Sequence, residues 1–212
     1  VVSKKRSLEA ARAYKGTKTA VHNFASAKNP GGGVVNGASA QEECLCRCSD
    51  LYFCLNTNAM MEGFYLPHRA MSSLLYNGDV IYTPDIIVFK SDDASPRTMP
   101  EKDWYEVDII TCAAPNLRHG ILGGNTDLRT IHETRLRRML DIAVTEGVES
   151  IVLGAFGCGA FMNDPDIVAD AAKHVLKDYL YAFKNIEYAV YCSPKNDANY
   201  QAFHRALAEY CG

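Results

Sequence analysis

Ser150-Ile151-Val152-Leu153 is a short apolar run, Gly154-Ala155-Phe156-Gly157-Cys158-Gly159-Ala160-Phe161 is a loop built on glycine, and Asp164-Pro165 opens a helix. The apolar run shows no polar alternation, as expected of a strand buried on both faces. Asp followed by Pro is an N-cap and then a residue whose missing N–H is harmless at the first helical position. Strand, glycine loop and helix in this order are where α/β sheets present free amides and a positive helix end to phosphate. The glycine order is neither the dinucleotide pattern G-x-G-x-x-G nor a P-loop, because no Gly-Lys-Ser/Thr follows. On spacing alone, a purely structural turn stays open beside a phosphate cradle.

Working outward, strand-like and helix-like stretches alternate without linker, repeat or low-complexity segment. Thr19 to Phe24, Val107 to Ala114 and Ile186 to Tyr191 read as further strands. Val80-Ile81-Tyr82 and Ile86-Ile87-Val88-Phe89 read as a strand pair around the tight turn Thr83-Pro84-Asp85. Helices are expected over residues 3–15 and 39–55, and through Ile131, Leu136, Met139, Leu140, Ala143 and Val144 up to a Gly147 C-cap. The Asp164-Pro165 helix is expected to bury Ile167, Val168, Ala171, Val175, Leu176, Tyr179 and Leu180, and a last helix runs from Asp197 through Tyr200, Phe203 and Leu207. Strands separated by such helices predict a three-layer α/β fold, with residues 1–212 forming one domain.

Composition agrees and excludes alternatives. The 212 residues are 48% hydrophobic and 22% charged, which is globular usage and rules out intrinsic disorder. No apolar run approaches the length of a membrane span, so no membrane partner is expected. Val1-Val2-Ser3-Lys4-Lys5-Arg6 has basic residues with no apolar stretch behind them, unlike a secretory signal, and the missing initiator Met suggests a longer product. A net charge of −3 argues against direct nucleic-acid binding. Eight cysteines in a chain of this size read as free thiols of a reducing cytoplasm rather than a disulfide scaffold.

The second unusual stretch is Asn23-Phe24-Ala25-Ser26-Ala27-Lys28-Asn29-Pro30-Gly31-Gly32-Gly33, followed after seven residues by Gln41-Glu42-Glu43. Three glycines allow a sharp bend and a close backbone approach, and adjacent acids are candidates for proton transfer. The plainer alternative is that Ser39-Ala40-Gln41-Glu42 is a capping box, its acids partnering the helix dipole. Cys44, Cys46 and Cys48 cannot converge on one metal from a helix, since positions two apart face opposite sides, so neither metal nor cofactor is expected. Cys158 between two glycines reads as a spacer before a nucleophile. The six histidines (His22, His68, His119, His132, His174, His204) are scattered, and Pro67-His68-Arg69 and Arg135 with Arg137-Arg138 read as solvated charge.

Taken together, the two glycine loops are far more specific than either alone. Gly31-Gly32-Gly33, seven residues and Gln41-Glu42-Glu43 resemble the signature of poly(ADP-ribose) glycohydrolases. The flanking Asn23–Pro30 and Gly154–Pro165 resemble the microbial, bacterial-type branch. Cys112-Ala113-Ala114-Pro115-Asn116 and Asn199-Tyr200-Gln201-Ala202-Phe203 extend the resemblance over nearly the whole chain. It implies a macrodomain fold, a mixed central sheet flanked by helices, with poly(ADP-ribose), ADP-ribose and ADP-ribosylated proteins as partners. It implies further that Gly157, Cys158, Gly159, Ala160 and Phe161 carry the diphosphate, with the Phe161 ring beside the ribose. Glu43 is then the catalytic acid, Glu42 and Gln41 hold ribose hydroxyls, and Asn29, Gly31, Gly32 and Gly33 complete the substrate contacts.

The chemistry fits these residue types. Cleaving a ribose–ribose O-glycosidic bond needs a proton on the leaving oxygen, relief of oxocarbenium charge and an activated water. One carboxyl can give the proton and then take one from water. Helix neighbours diverge by about 100°, so Glu42 and Glu43 are not expected to act as an acid–nucleophile pair. An ADP-ribose reader module, or a hydrolase of mono-ADP-ribosyl groups, would sit on the same scaffold. The intact Gln-Glu-Glu run favours the enzyme, because a reader needs no acid on the sugar.

Overall fold

A computed structural model describes residues 1–118, 120, 127–193 and 195–211. Six strands, β1 (Val2–Ser3), β2 (Thr19–Ala25), β3 (Val80–Val88), β4 (Tyr105–Ala113), β5 (Ser150–Leu153) and β6 (Asn185–Ala189), form one sheet in the order β1-β6-β5-β2-β4-β3. Every pairing is parallel except β3 with β4, so the sheet is mixed, with its antiparallel strand at one edge.

The central strands β2, β4 and β5 are buried along nearly their whole length because both faces of the sheet are covered. Adjacent residues point to opposite cores, as period-two geometry requires. Ile110 and Ile151 pack with Leu140, Val175 and Phe203, which come from α6 (Leu128–Thr145), α7 (Pro165–Leu176) and α8 (Ala198–Ala206). Ile109 and Val152 pack with Leu8, Leu45 and Leu51, which come from α1 (Ser7–Arg12), α2 (Gln41–Cys48) and α3 (Leu51–Leu55). This is the expected three-layer arrangement. The Asp164 carboxylate accepts from the Asp166 N–H at 2.9 Å at the start of α7, and Gly147 follows α6 with a φ of 72°.

Several local expectations are corrected. Residues 3–15 are not one helix: Val2 and Ser3 form an edge strand in register with Tyr188 and Ala189, and α1 is confined to Ser7–Arg12. The expected strand pair around Thr83-Pro84-Asp85 is a single strand, β3, whose register on β4 shifts between Thr83 and Ile86. Asp85 takes a φ of 56° there and donates its N–H to Asp108 Oδ1 at 3.0 Å, so the turn residues make a bulge. The helix expected over 39–55 breaks at Ser49, which bridges to Val88 while the Cys48 carbonyl accepts from Phe89 N at 3.0 Å. α7 ends at Leu176, leaving Tyr179 and Leu180 outside it, and Ile167 stands 36% exposed rather than buried. Between α3 and β3 lies a helical stretch that periodicity did not signal: α4 (Asn58–Met60), a π-helical turn (Met61–Tyr65) and α5 (Leu66–Ala70).

Candidate active site

A cleft of about 370 Å³ opens where the loops after β2, β5 and β6 meet. Parallel strands send their connections to this edge, which is why open α/β sheets place ligands there. Both glycine loops reach it. Gln41, Glu42, Glu43, Gly32, Gly157, Gly159, Ala160 and Phe161 all line it.

α2 is anchored through Gln41. The side-chain oxygen accepts from Phe24 N at 2.9 Å, and the nitrogen donates to His22 O at 2.7 Å and Ser7 Oγ at 3.0 Å. Both amide hydrogens are thus committed within the protein, so Gln41 positions the helix rather than offering donors to a sugar hydroxyl. The capping box is absent: Ala40 is the N-cap and makes no side-chain cap bond. The acids of this turn face inward instead of decorating the helix end.

Glu42 is 3% exposed and accepts from Ser26 N at 2.7 Å and Asn23 Nδ2 at 3.4 Å. Burial pushes its pKa up to about 8; the Ser26 and Asn23 hydrogen bonds oppose the rise and the Glu43 charge adds to it. Glu43 is 8% exposed, and its Oε1 accepts from Gly33 N at 2.8 Å. Its Oε2 is buried and has no hydrogen-bond partner among the described residues.

The two carboxyls converge on Gly32 even though their α-carbons are helix neighbours. A Cβ on Gly32 would stand 2.9 Å from Glu42 Oε2 and against the Glu43 carboxylate, and Gly32 has a φ of 60°. The middle glycine is therefore required twice, by conformation and by approach.

The second loop presents backbone. Cys158 N donates to Ala155 O at 3.1 Å and Met162 N to Gly159 O at 3.0 Å. The N–H groups of Gly157, Gly159, Ala160 and Phe161 make no hydrogen bond among the described residues. Gly157 has a φ of 77°, and a Cβ there would meet Ala114 Cβ and Asn163 Nδ2, each at 2.6 Å. A Cβ on Gly159 meets nothing within 4 Å. Unpaired amides beside a helix start form an anion-binding concavity.

Four residues expected at the site stand back from the cleft. Asn29 is tied by its side-chain oxygen to Arg69 Nη2 at 3.3 Å and by its carbonyl to Gly32 N at 2.9 Å. Gly31 packs against Tyr52, Val34 and Cys46. Gly33 acts through its bond to Glu43. Cys158 turns its thiol toward Phe156 O, and burial pushes its pKa up to about 12, away from the thiolate that a nucleophile needs.

Sequence reading missed the far wall of the cleft. The Arg6 guanidinium lies 4.1 Å over the Tyr191 ring and 3.9 Å from Asp92 Oδ1, while Asp92 Oδ2 accepts from Leu8 N at 3.1 Å. It also misjudged Arg135, which is 3% exposed and donates to Ala113 O at 2.7 Å and to Leu75 O. His68 is fully buried as well, with Nδ1 2.7 Å from Phe64 O. Neither is solvated charge; each side chain is turned inward to hydrogen-bond backbone carbonyls. His119 lies outside the described residues. Among the described residues no three His, Cys, Asp or Glu side chains group as metal ligands, and no helix is long and apolar enough to cross a membrane.

This arrangement pairs a buried acid bearing an unpartnered oxygen with a bed of free amides. Residues 1–91 match the family described as microbial-type PARG, catalytic domain. Poly(ADP-ribose) glycohydrolase from Thermomonospora curvata, bound to the inhibitor ADP-HPD, is 36% identical with a TM-score of 0.87 over 96% of this chain and 77% of that one. Poly(ADP-ribose) glycohydrolase from Deinococcus radiodurans, in complex with ADP-ribose, is 34% identical with a TM-score of 0.87 over 100% of this chain and 84% of that one. The chain is a microbial-type poly(ADP-ribose) glycohydrolase. A search of curated proteins finds no match. Membership makes the chain a glycoside hydrolase with a macrodomain-like fold. The two glycine loops are where its cleft gathers acid and amide groups.

Proposed function

We propose that Glu43 is the general acid and base that cleaves the ribose–ribose bond of poly(ADP-ribose), on a substrate held by the amides of Gly157–Phe161. One observation carries this reading: of the two adjacent acids on α2, Glu43 retains a buried oxygen with no hydrogen-bond partner among the described residues, aligned by the Gly33 N–H on its other oxygen. Protonated Glu43 gives its proton to the leaving ribose oxygen as the glycosidic bond breaks. The oxocarbenium-like sugar is met by water, and Glu43 takes that water's proton, which restores the acid and releases ADP-ribose. Glu42, kept neutral by burial at physiological pH, donates its own proton or accepts from a ribose hydroxyl and orients the sugar.

The diphosphate lies against the free loop amides with the Phe161 ring alongside. The adenosine end extends toward Tyr191 and Asp92, whose Oδ1 faces Arg6 but accepts no hydrogen bond among the described residues. ADP-ribosylated proteins are the carriers of such chains. Eight free thiols and the bacterial sources of its relatives favour the reducing cytoplasm of a bacterium as the working compartment.

The test is release of ADP-ribose from poly(ADP-ribose) by wild type and by Glu43→Gln. The variant keeps size and hydrogen bonding but has no proton to exchange. Turnover is expected to fall by about 10²-fold or more, with ADP-ribose affinity retained. Wild-type turnover in the variant overturns the assignment.

A further inference from the structure

Beneath the amide loop, outside the cleft, sits a fully buried polar cluster that the reaction does not touch. Asn163, 3% exposed, follows the loop after one residue, Met162. Its side-chain nitrogen donates to Pro115 O at 2.8 Å and Gly157 O at 3.1 Å, and its backbone N–H donates to Gly157 O at 3.0 Å. These bonds hold the loop in a conformation that includes a φ of 77° at Gly157 and of 59° at Met162, the latter unusual for a residue with a Cβ. With its nitrogen so engaged, the other amide atom must be the oxygen, and an oxygen only accepts. The atom facing it, at 2.9 Å, is His132 Nε2 from the second turn of α6. His132 Nε2 must therefore carry a hydrogen.

From this we infer that His132 is a positioning residue for the reaction: its Nε2–H locks Asn163, and Asn163 presets the Gly157–Phe161 amides for the diphosphate. The inference rests on the reading of that loop as the diphosphate site. His132 Nδ1 is then a bare acceptor, and it has no partner among the described residues, as is true of His22 Nε2 on β2. Both rings pack on Phe156 and line a cavity of about 20 Å³, room for one water molecule between them. The groups facing His132 keep it neutral: burial lowers its pKa to about 4, with the Asn163 bond opposing and the Arg135 charge assisting, and His22 is pushed down to about 3. A single tautomer, unchanged over the working pH range, is what a fixed strut needs.

Two measurements test this. Nitrogen-15 NMR of the histidines in the unmodified protein should show His132 as the neutral Nε2–H tautomer down to pH 5, and the Nδ1–H tautomer or a midpoint near 6.5 overturns the inference. Calorimetry with ADP-ribose should show His132→Phe, which keeps a ring but cannot donate, raising Kd about tenfold, the equivalent of one neutral hydrogen bond. His132→Gln, which can donate again, should recover most of that loss, whereas a merely structural defect would lower Tm without this rescue. If Gly159→Val weakens ADP-ribose while folded His132→Phe binds as wild type does, the positioning role fails and the diphosphate site stands. If Gly159→Val changes nothing, the diphosphate site itself fails, and the strut with it. If His132→Phe does not fold, the tautomer measurement decides alone.

Discussion

Gly157 and Gly159 are two residues apart in one loop, and the structure separates what each does. A side chain at Gly157 would have to hold a φ of 77° and force back Ala114 and Asn163. The conformation costs about 1–2 kcal/mol and the overpacking about 1–3 kcal/mol more, so Gly157→Val should lose several degrees of Tm or fail to fold. At Gly159 a Cβ meets no protein atom within 4 Å, so Gly159→Val should melt within a degree or two of wild type. Its isopropyl group instead occupies the surface where an anion reaches the amides of Gly159 and Ala160. A hydrogen bond to a charged group contributes about 1.5–3 kcal/mol, so displacing one of them weakens ADP-ribose by roughly 10- to 150-fold. Calorimetry on the two variants, each checked by thermal melt, separates the roles. A folded Gly159→Val that binds ADP-ribose as tightly as wild type would refute the cradle, and a Gly157→Val as stable as wild type would refute the account of the loop's packing.

Glu42→Gln tests the pH behaviour of the neighbouring acid. Burial raises the folded pKa of Glu42 to about 8, so folding favours the protonated form; that stability is complete below the ordinary carboxylate range and lost as pH climbs to 8. The Tm of Glu42→Gln should therefore rise relative to wild type between pH 5 and pH 9, and parallel Tm curves would contradict the burial argument. Gly32→Ala should lower both Tm and turnover, because its methyl group pushes on both carboxyls from a φ of 60°; wild-type activity would show that the carboxyls need not converge there. Turnover should survive dialysis against EDTA, since no ligand set groups among the described residues, and loss restored by one added ion would refute this.

Much of the fold could be read because its parallel strands are buried on both faces. Ile151-Val152-Leu153 has no solvent side and lies between Gly147 and Gly154, so its apolar run marked β5, and the apolar residues of Thr19 to Phe24 marked β2. What failed depended on partners distant in sequence. β1 is a strand only because Tyr188 and Ala189 lie beside it, and two residues carry no period. The bulge in β3 exists because Asp108, on the next strand, takes the Asp85 N–H. α2 stops at Cys48 because Phe89 and Lys90, just past β3, take its last carbonyl. At the site, the residues that carry chemistry stood out as a run of types with few structural uses. Their supports did not: Arg135 reads as surface charge and His132 as one scattered histidine until β4 and the amide loop are placed against them.

The adjacency of the two acids poses a conflict that the structure decides. A helix N-terminus stabilises carboxylate and so lowers pKa, by an interaction of about 0.3–1 kcal/mol at exposed sites. An acid in the first turn of α2 should by that argument be a poor proton donor. Glu42 goes the other way, because removal from water outweighs the helix end and the two donors on its oxygens together. The Gln41 clamp is what makes this possible: by pinning the first residue of α2 to the β2 backbone, it turns the next two side chains into the interior behind Gly32. A neutral Glu42 then brings no like charge against its neighbour or against an arriving diphosphate. Loosening the clamp should undo that. Gln41→Ala is expected to let water reach Glu42, to bring its apparent pKa back toward the ordinary carboxylate range, and to weaken ADP-ribose by adding a negative charge beside it. The check is a carbon-13 titration of the glutamate carboxyls in Gln41→Ala and wild type, and an unmoved Glu42 midpoint would mean that the β2 and β4 side chains, not the clamp, keep it dry.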